Sequence, residues 1–167
     1  MFGRPSKKFE VGMRNSKLAI IGKLPDKFNA PFSDMNWDIW GCNWHDDFFD
    51  IPRYTEWFDI HKKVHPMVEK HIEFTKLNKR VEYIFEFAKE IMQGEYLNNS
   101  MCYMLFLAYI KGYNEVCFYG CSLTSPQEIR EQQRRALNNV IMFCRGKGMK
   151  ISSNMDILID KFDRYEV

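Results

Sequence analysis

A chain of 167 residues and 20.0 kDa suits one domain, and 46% hydrophobic with 28% charged residues excludes wholesale disorder, a collagen-like repeat and a coiled coil. Twenty-four Lys plus Arg against 22 Asp plus Glu leave a formal charge of +2, which excludes the global basic field of a non-specific nucleic-acid or membrane-surface binder. Any anion site must therefore be local.

Residues 1–16 are polar, basic and punctuated by Gly and Pro, as expected of a flexible leader before a single α/β domain over 17–167. Lys17–Lys23 (KLAIIGK) is a short apolar run entering a Gly and Pro turn, the pattern of a buried strand. The next stretch, LPDKFNAPFSD, has two prolines and no periodicity and reads as loop. Trp37–Asn43 and Thr55–His61 read as two further strands. From Pro66 the spacing of Leu77, Val81, Ile84, Phe85, Ala88, Ile91 and Met92 predicts an amphipathic helix ending near Gly94. The segment MCYMLFLAYIKG is apolar on nearly every face, so it predicts a buried helix, capped by Asn98, Asn99 or Ser100 and closed at Gly112. Glu115–Gly120 (EVCFYG) reads as a central parallel strand, Pro126 as the start of a helix burying Leu137, Val140, Ile141 and Cys144, and Lys150–Ser153 as a last strand before a small terminal helix. This β-β-β-α-α-β-α-β order predicts a Rossmann-like three-layer α/β sandwich with a mainly parallel sheet.

Five cysteines in apolar segments, an odd number, point to reduced thiols and a cytosolic setting. No signal-peptide core follows Arg4, Lys7 and Lys8, and no stretch is long and apolar enough to span a membrane. The spacing of Cys117 and Cys121 is that of packed thiols on one strand face. Neither GxGxxG nor GxxxxGK[ST] occurs, which argues against a standard dinucleotide fingerprint and a P-loop, and the histidines lack zinc-site spacing, so neither cofactor nor metal is predicted.

In an open parallel sheet ligands bind beyond the carboxyl ends of the strands. That rule selects Gly22 and Pro25 after the first strand, Asn43 and His45 after the second, His61 after the third and Gly120 after the EVCFYG strand. Asn99 and Ser100 open the buried helix, whose free N–H groups suit a phosphate or carboxylate, although capping alone also accounts for such residues. Gln133 and Arg134 would point back over the strand ends from the following helix, where a guanidinium fork clamps an anion. His61 and His45 are the candidate general bases, because imidazole titrates nearest neutrality. Trp44, Phe48, Phe49 and Tyr54 offer a separate aromatic surface for a protein partner.

The blocks KLAIIGKLPDKFNAPFSDMNWDIWGCNW, EWFDIH and NNSMCYMLFLAYIKGYNEVCFYGCSL, within about residues 17–151, resemble a group of small bacteriophage-encoded proteins that share an "APF-D-W-WG-N" segment, a "WF-x-H" strand and a helix-strand unit followed by "QR". Residues 99–121 are also similar to the helix-strand unit of bacterial sialyltransferases that use a CMP-sugar donor. The resemblance implies a Rossmann-like fold and a pocket near Gly22, Pro25, Asn43, His61, Asn99, Ser100, Gly120, Gln133 and Arg134, and supplies no known activity. The fold and the convergent polar residues favour a nucleotide or nucleotide-derived ligand there, as in a nucleotide-sugar transferase of the host cytoplasm, with a non-catalytic accessory protein that sequesters a host nucleotide signal or inhibits a host protein as the alternative. A host protein and a second copy of the chain are kept as further partners. Cys121 and Ser122 stand where the related motif has an acidic residue, and Arg135 where proline often follows "QR", so a role that needs that carboxylate is not implied.

Overall fold

The computed structural model describes residues 15–61, 63–72, 99–122 and 127–154, with backbone alone for 127–131. The expected leader up to residue 14, the expected amphipathic helix from residue 73 onward and the terminal helix lie outside the described residues; the described start of that helix, Pro66–His71, ends at Ile72 in an extended conformation rather than running on.

Five strands form one parallel sheet: β1 (Lys17–Ile21), β2 (Trp37–Cys42), β3 (Glu56–Phe58), β4 (Glu115–Tyr119) and β5 (Lys150–Ser153), in the order β3-β2-β1-β4-β5. This is the Rossmann-like α/β fold that the sequence predicts. Both neighbours of β1 are parallel to it, with Ala19 opposite Ile39 on one side and Cys117 on the other. Central position explains why Leu18, Ala19, Ile20 and Ile21 are all fully buried, and why the strand reads as continuous apolar sequence rather than as an alternation.

Three helices are described: α1 (Pro66–His71), α2 (Ser100–Lys111) and α3 (Gln127–Gly146). Nine residues of α2 are buried, as its all-round apolar sequence requires, and Gly112 ends it at φ 95° with the Tyr113 N–H returning to the Ala108 carbonyl. On one face of the sheet α2 and α3 bury Leu18, Ile20, Trp40, Phe58, Val116 and Phe118 together with Leu137, Val140, Ile141 and Cys144. The other face, carrying Ala19, Ile21, Ile39 and Trp57, is covered among the described residues by α1 and two short 3-10 turns, Pro25–Asn29 and Phe48–Asp50. The stretch expected to be plain loop after β1 thus contains a turn with a fully buried lysine, Lys27.

Two glycines set close approaches. A Cβ at Gly41 would lie 2.3 Å from the Trp57 ring, and one at Gly22 would lie 2.4 Å from the Gly120 carbonyl oxygen. Gly120 itself has φ 64°, which swings the chain out of β4 so that Cys121 falls beyond the strand rather than on one face with Cys117. The five cysteines are buried free thiols. Asn154, just past β5, accepts from the Gly120 N–H at 3.1 Å and donates to the Asp26 carbonyl at 3.0 Å, joining the loops after β4 and β1. Among the described residues no helix is long and apolar enough to cross a membrane.

Candidate functional site

The strand order reverses at β1, so the crevice beyond β1 and β4 is the position where this topology opens a site. The two loops there are knitted together: the Gly22 N–H donates to the Tyr119 carbonyl at 2.8 Å and the Leu24 N–H to the Gly120 carbonyl at 3.1 Å. Their glycines are required by this packing. Above them lies a cavity of about 390 Å³, whose walls include Gly22, Asn43, His61, Asn99, Ser100, Gly120 and Gln133. A second cavity of about 830 Å³ lies over the ends of β2 and β3, and the two share Lys23, Asn43 and His61.

Asn43 ends β2 at φ 61°, a left-handed conformation that costs a non-glycine residue little only when it is Asn or Asp. Its backbone is held by a bond from its N–H to the Phe58 carbonyl at 2.8 Å and by the Trp57 indole N–H, which donates to its carbonyl at 2.7 Å. The side-chain Oδ1 is buried without a partner.

His61 lies three residues beyond β3, not on the strand end. Its side chain is 62% exposed, while the neighbouring Asp59 is 1% exposed. The Asp59 Oδ1 accepts from the His61 backbone N–H at 3.0 Å and pairs with the ring Nδ1 at 2.7 Å. A carboxylate can only accept, so this contact places the ring proton on Nδ1 and leaves Nε2 as the basic nitrogen.

His45 is 2% exposed and lines the larger cavity. Its Nε2 lies 3.0 Å from the Cys42 carbonyl and its Nδ1 3.3 Å from the Lys27 ammonium, so Nε2 carries the hydrogen and Nδ1 accepts. Lys27 also pairs with Asp47 and donates to the Lys23 carbonyl at 3.2 Å. Burial first, then the Lys27 ammonium, push the His45 pKa down from 6.5 to about 4. The ring is neutral and both nitrogens are occupied. As a general base, the role expected of it, His45 has no nitrogen to offer.

Asn99 caps α2: its Oδ1 accepts from the Cys102 N–H at 3.1 Å and its Nδ2 donates to the Gln133 carbonyl at 3.1 Å, tying the start of α2 to α3. Ser100 and Met101 line the smaller cavity and belong to the first turn, where backbone N–H groups have no intrahelical acceptor. Pro25 opens its 3-10 turn in an exposed position, and Arg134 sits one helical step round from Gln133; neither lines either of these two cavities. The Arg134 Nε is buried without a partner among the described residues. Of the aromatic quartet, Phe48 and Tyr54 pack against Trp57 in the core, Trp44 stacks on His65 at 5.8 Å, and Phe49 alone is well exposed. Sequence reading missed Asp59 and Lys27; the Asp-x-His spacing after a strand was the available signal for the first.

No protein-family model matches the chain, and neither does any curated protein sequence. Among solved structures it is similar to the sialyltransferase CstII from Campylobacter jejuni in complex with a substrate analogue, cytidine-5'-monophosphate, at 12% identity over 86% of this chain and 81% of that chain, with a TM-score of 0.45. The fold assignment rests on the parallel sheet order.

Proposed function

We propose that the chain binds a nucleotide or nucleotide-derived ligand in the smaller cavity, and that His61, oriented by Asp59, serves as general base in transferring a group from it. The observation that carries this reading is the meeting, at one switch-point cavity, of the first turn of α2 with an Asp-oriented imidazole. Free N–H groups and the positive end of the α2 dipole favour a phosphate, and Lys23 adds a cation on the same wall. An imidazole whose Nδ1–H is held by a buried carboxylate keeps Nε2 ready to take a proton from an attacking hydroxyl or amine. The same reading takes residues 17–167 as one α/β domain built around this cleft, in a phage protein acting in the host cytoplasm.

The test is a thermal-shift screen against nucleoside mono- and diphosphates, CMP-, UDP- and GDP-sugars and cyclic dinucleotides. A ligand at about 100 times its Kd stabilises by about 2.7 kcal/mol. Ser100→Asp introduces a negative charge at a helix start, which tolerates it well, but repels a phosphate, so it should abolish the shift. His61→Asn should retain binding and lose turnover; a protein that only sequesters a nucleotide has no turnover to lose and keeps its affinity in that variant. Absence of a shift with every nucleotide would overturn the reading.

A further inference from the structure

The larger cavity is used by the function proposed above only where it shares Lys23, Asn43 and His61 with the smaller one. Its own walls are acidic: Asp46, Asp47, Asp50 and Asp59 stand against Lys23 and Lys63. The Asp47 charge is answered by the buried Lys27 ammonium. Among the described residues the Asp59 carboxylate pairs with the His61 ring and with no lysine or arginine. Its Oδ1 takes both hydrogen bonds from His61, and its Oδ2 is buried with no partner among the described residues. Asn43 Oδ1 is likewise buried without a partner, at the end of the adjacent strand, where the Asn43 N–H bonds the carbonyl of Phe58, the residue before Asp59. Asp59 and Asn43 both line the larger cavity, so its wall holds two recessed acceptor oxygens, one of them a carboxylate oxygen, that have no donor among the described residues. Buried acceptors of this kind are normally satisfied, and a buried carboxylate is normally paired.

We infer that the larger cavity is a binding site for a primary amine, whose ammonium group is received by Asp59 Oδ2 with Asn43 Oδ1. An ammonium is compact enough for a recessed oxygen, carries three donors and supplies the missing positive charge. A hydroxyl would satisfy a hydrogen bond and leave the charge uncompensated. A phosphate would be repelled by the four carboxylates. A metal ion is disfavoured because, among the described residues, no group of three or more His, Cys, Asp or Glu is placed to hold one. Half-buried Trp44 lines the same cavity and offers a ring to the carbon skeleton beside the ammonium.

The experiment titrates the full chain, without nucleotide, with n-butylamine, putrescine and glucosamine and with their uncharged counterparts n-butanol, 1,4-butanediol and N-acetylglucosamine, reading the histidine ring signals by NMR. At least one amine should bind about 10-fold or more tightly than its counterpart and move the His61 ring signals, since His61 shares the Asp59 carboxylate. Asp59→Asn, which keeps an acceptor for His61 but removes the charge, should erase that preference. Equal binding of amines and counterparts, an amine that leaves the His61 signals in place, or a preference surviving Asp59→Asn would each overturn the inference. If Asp59→Asn does not fold, the wild-type comparison and the His61 signals decide alone. Because nucleotide is absent from these titrations, failure of the amine site and failure of the nucleotide reading are separate results.

Discussion

Acid should loosen this fold through His45. In the folded protein its pKa is lowered from 6.5 to about 4, chiefly by burial and then by the Lys27 ammonium 3.3 Å away. The unfolded chain therefore binds the proton first, so the contribution is fully present above pH 6.5 and drains away as pH falls toward 4. With those two values the loss is negligible at pH 7.5, about 2 kcal/mol by pH 5 and about 3 kcal/mol at pH 4. His45→Gln supplies the control, because a carboxamide can donate to the Cys42 carbonyl and accept from Lys27 without titrating. Urea unfolding followed by tryptophan fluorescence at several pH values from 7.5 to 5 should show the wild type losing about 2 kcal/mol more than the variant. Parallel curves for the two proteins would refute the assignment of a buried, neutral His45.

Gly41→Ala should cost about 1–3 kcal/mol or more, since the new methyl meets the rigid Trp57 ring at 2.3 Å, and a lowered urea midpoint checks it. Asn99→Ala removes both the cap of α2 and the tie to the Gln133 carbonyl and should destabilise by about 1–2 kcal/mol, read the same way. The five buried thiols should resist a disulfide-exchange reagent at pH 8 in the folded chain and all react in urea. Burial pushes Cys42 up to about 12, and the same cause does so for Cys144, so neither forms thiolate at that pH.

What the sequence made legible is what burial writes into it. β1, β4 and α2 are enclosed on all sides, so their apolar runs carried the fold without help from tertiary context. Of the residues selected by the strand-end rule, Gly22, Asn43, His61 and Gly120 line the smaller cavity, together with Asn99 and Ser100 from the start of α2 and Gln133 from α3, while Pro25 and His45 do not. Other features depend on how loops fold back. Lys27 sits in a polar, proline-containing stretch that reads as solvated, yet the 3-10 turn points it inward onto His45 and Asp47. No sequence spacing shows that His45 would be consumed by that cluster, nor that Asp59 would turn inward while His61, two residues on, turns out. Arg134 and Gln133 are neighbours in sequence but about 100° apart around their helix, and Gln133 is the one that lines the smaller cavity.

Asn154 gives the cleft a dependence on the far edge of the sheet. The residue that joins the loops after β1 and β4 hangs from β5, a strand of four residues at the sheet's border. Border strands of that length are where a sheet frays first. Each time β5 peels away, the loops around the switch point lose their common anchor. A molecule seated in the cleft would therefore hold down an edge strand that it never touches, and local opening of β5 would set an upper bound on how long that molecule could stay.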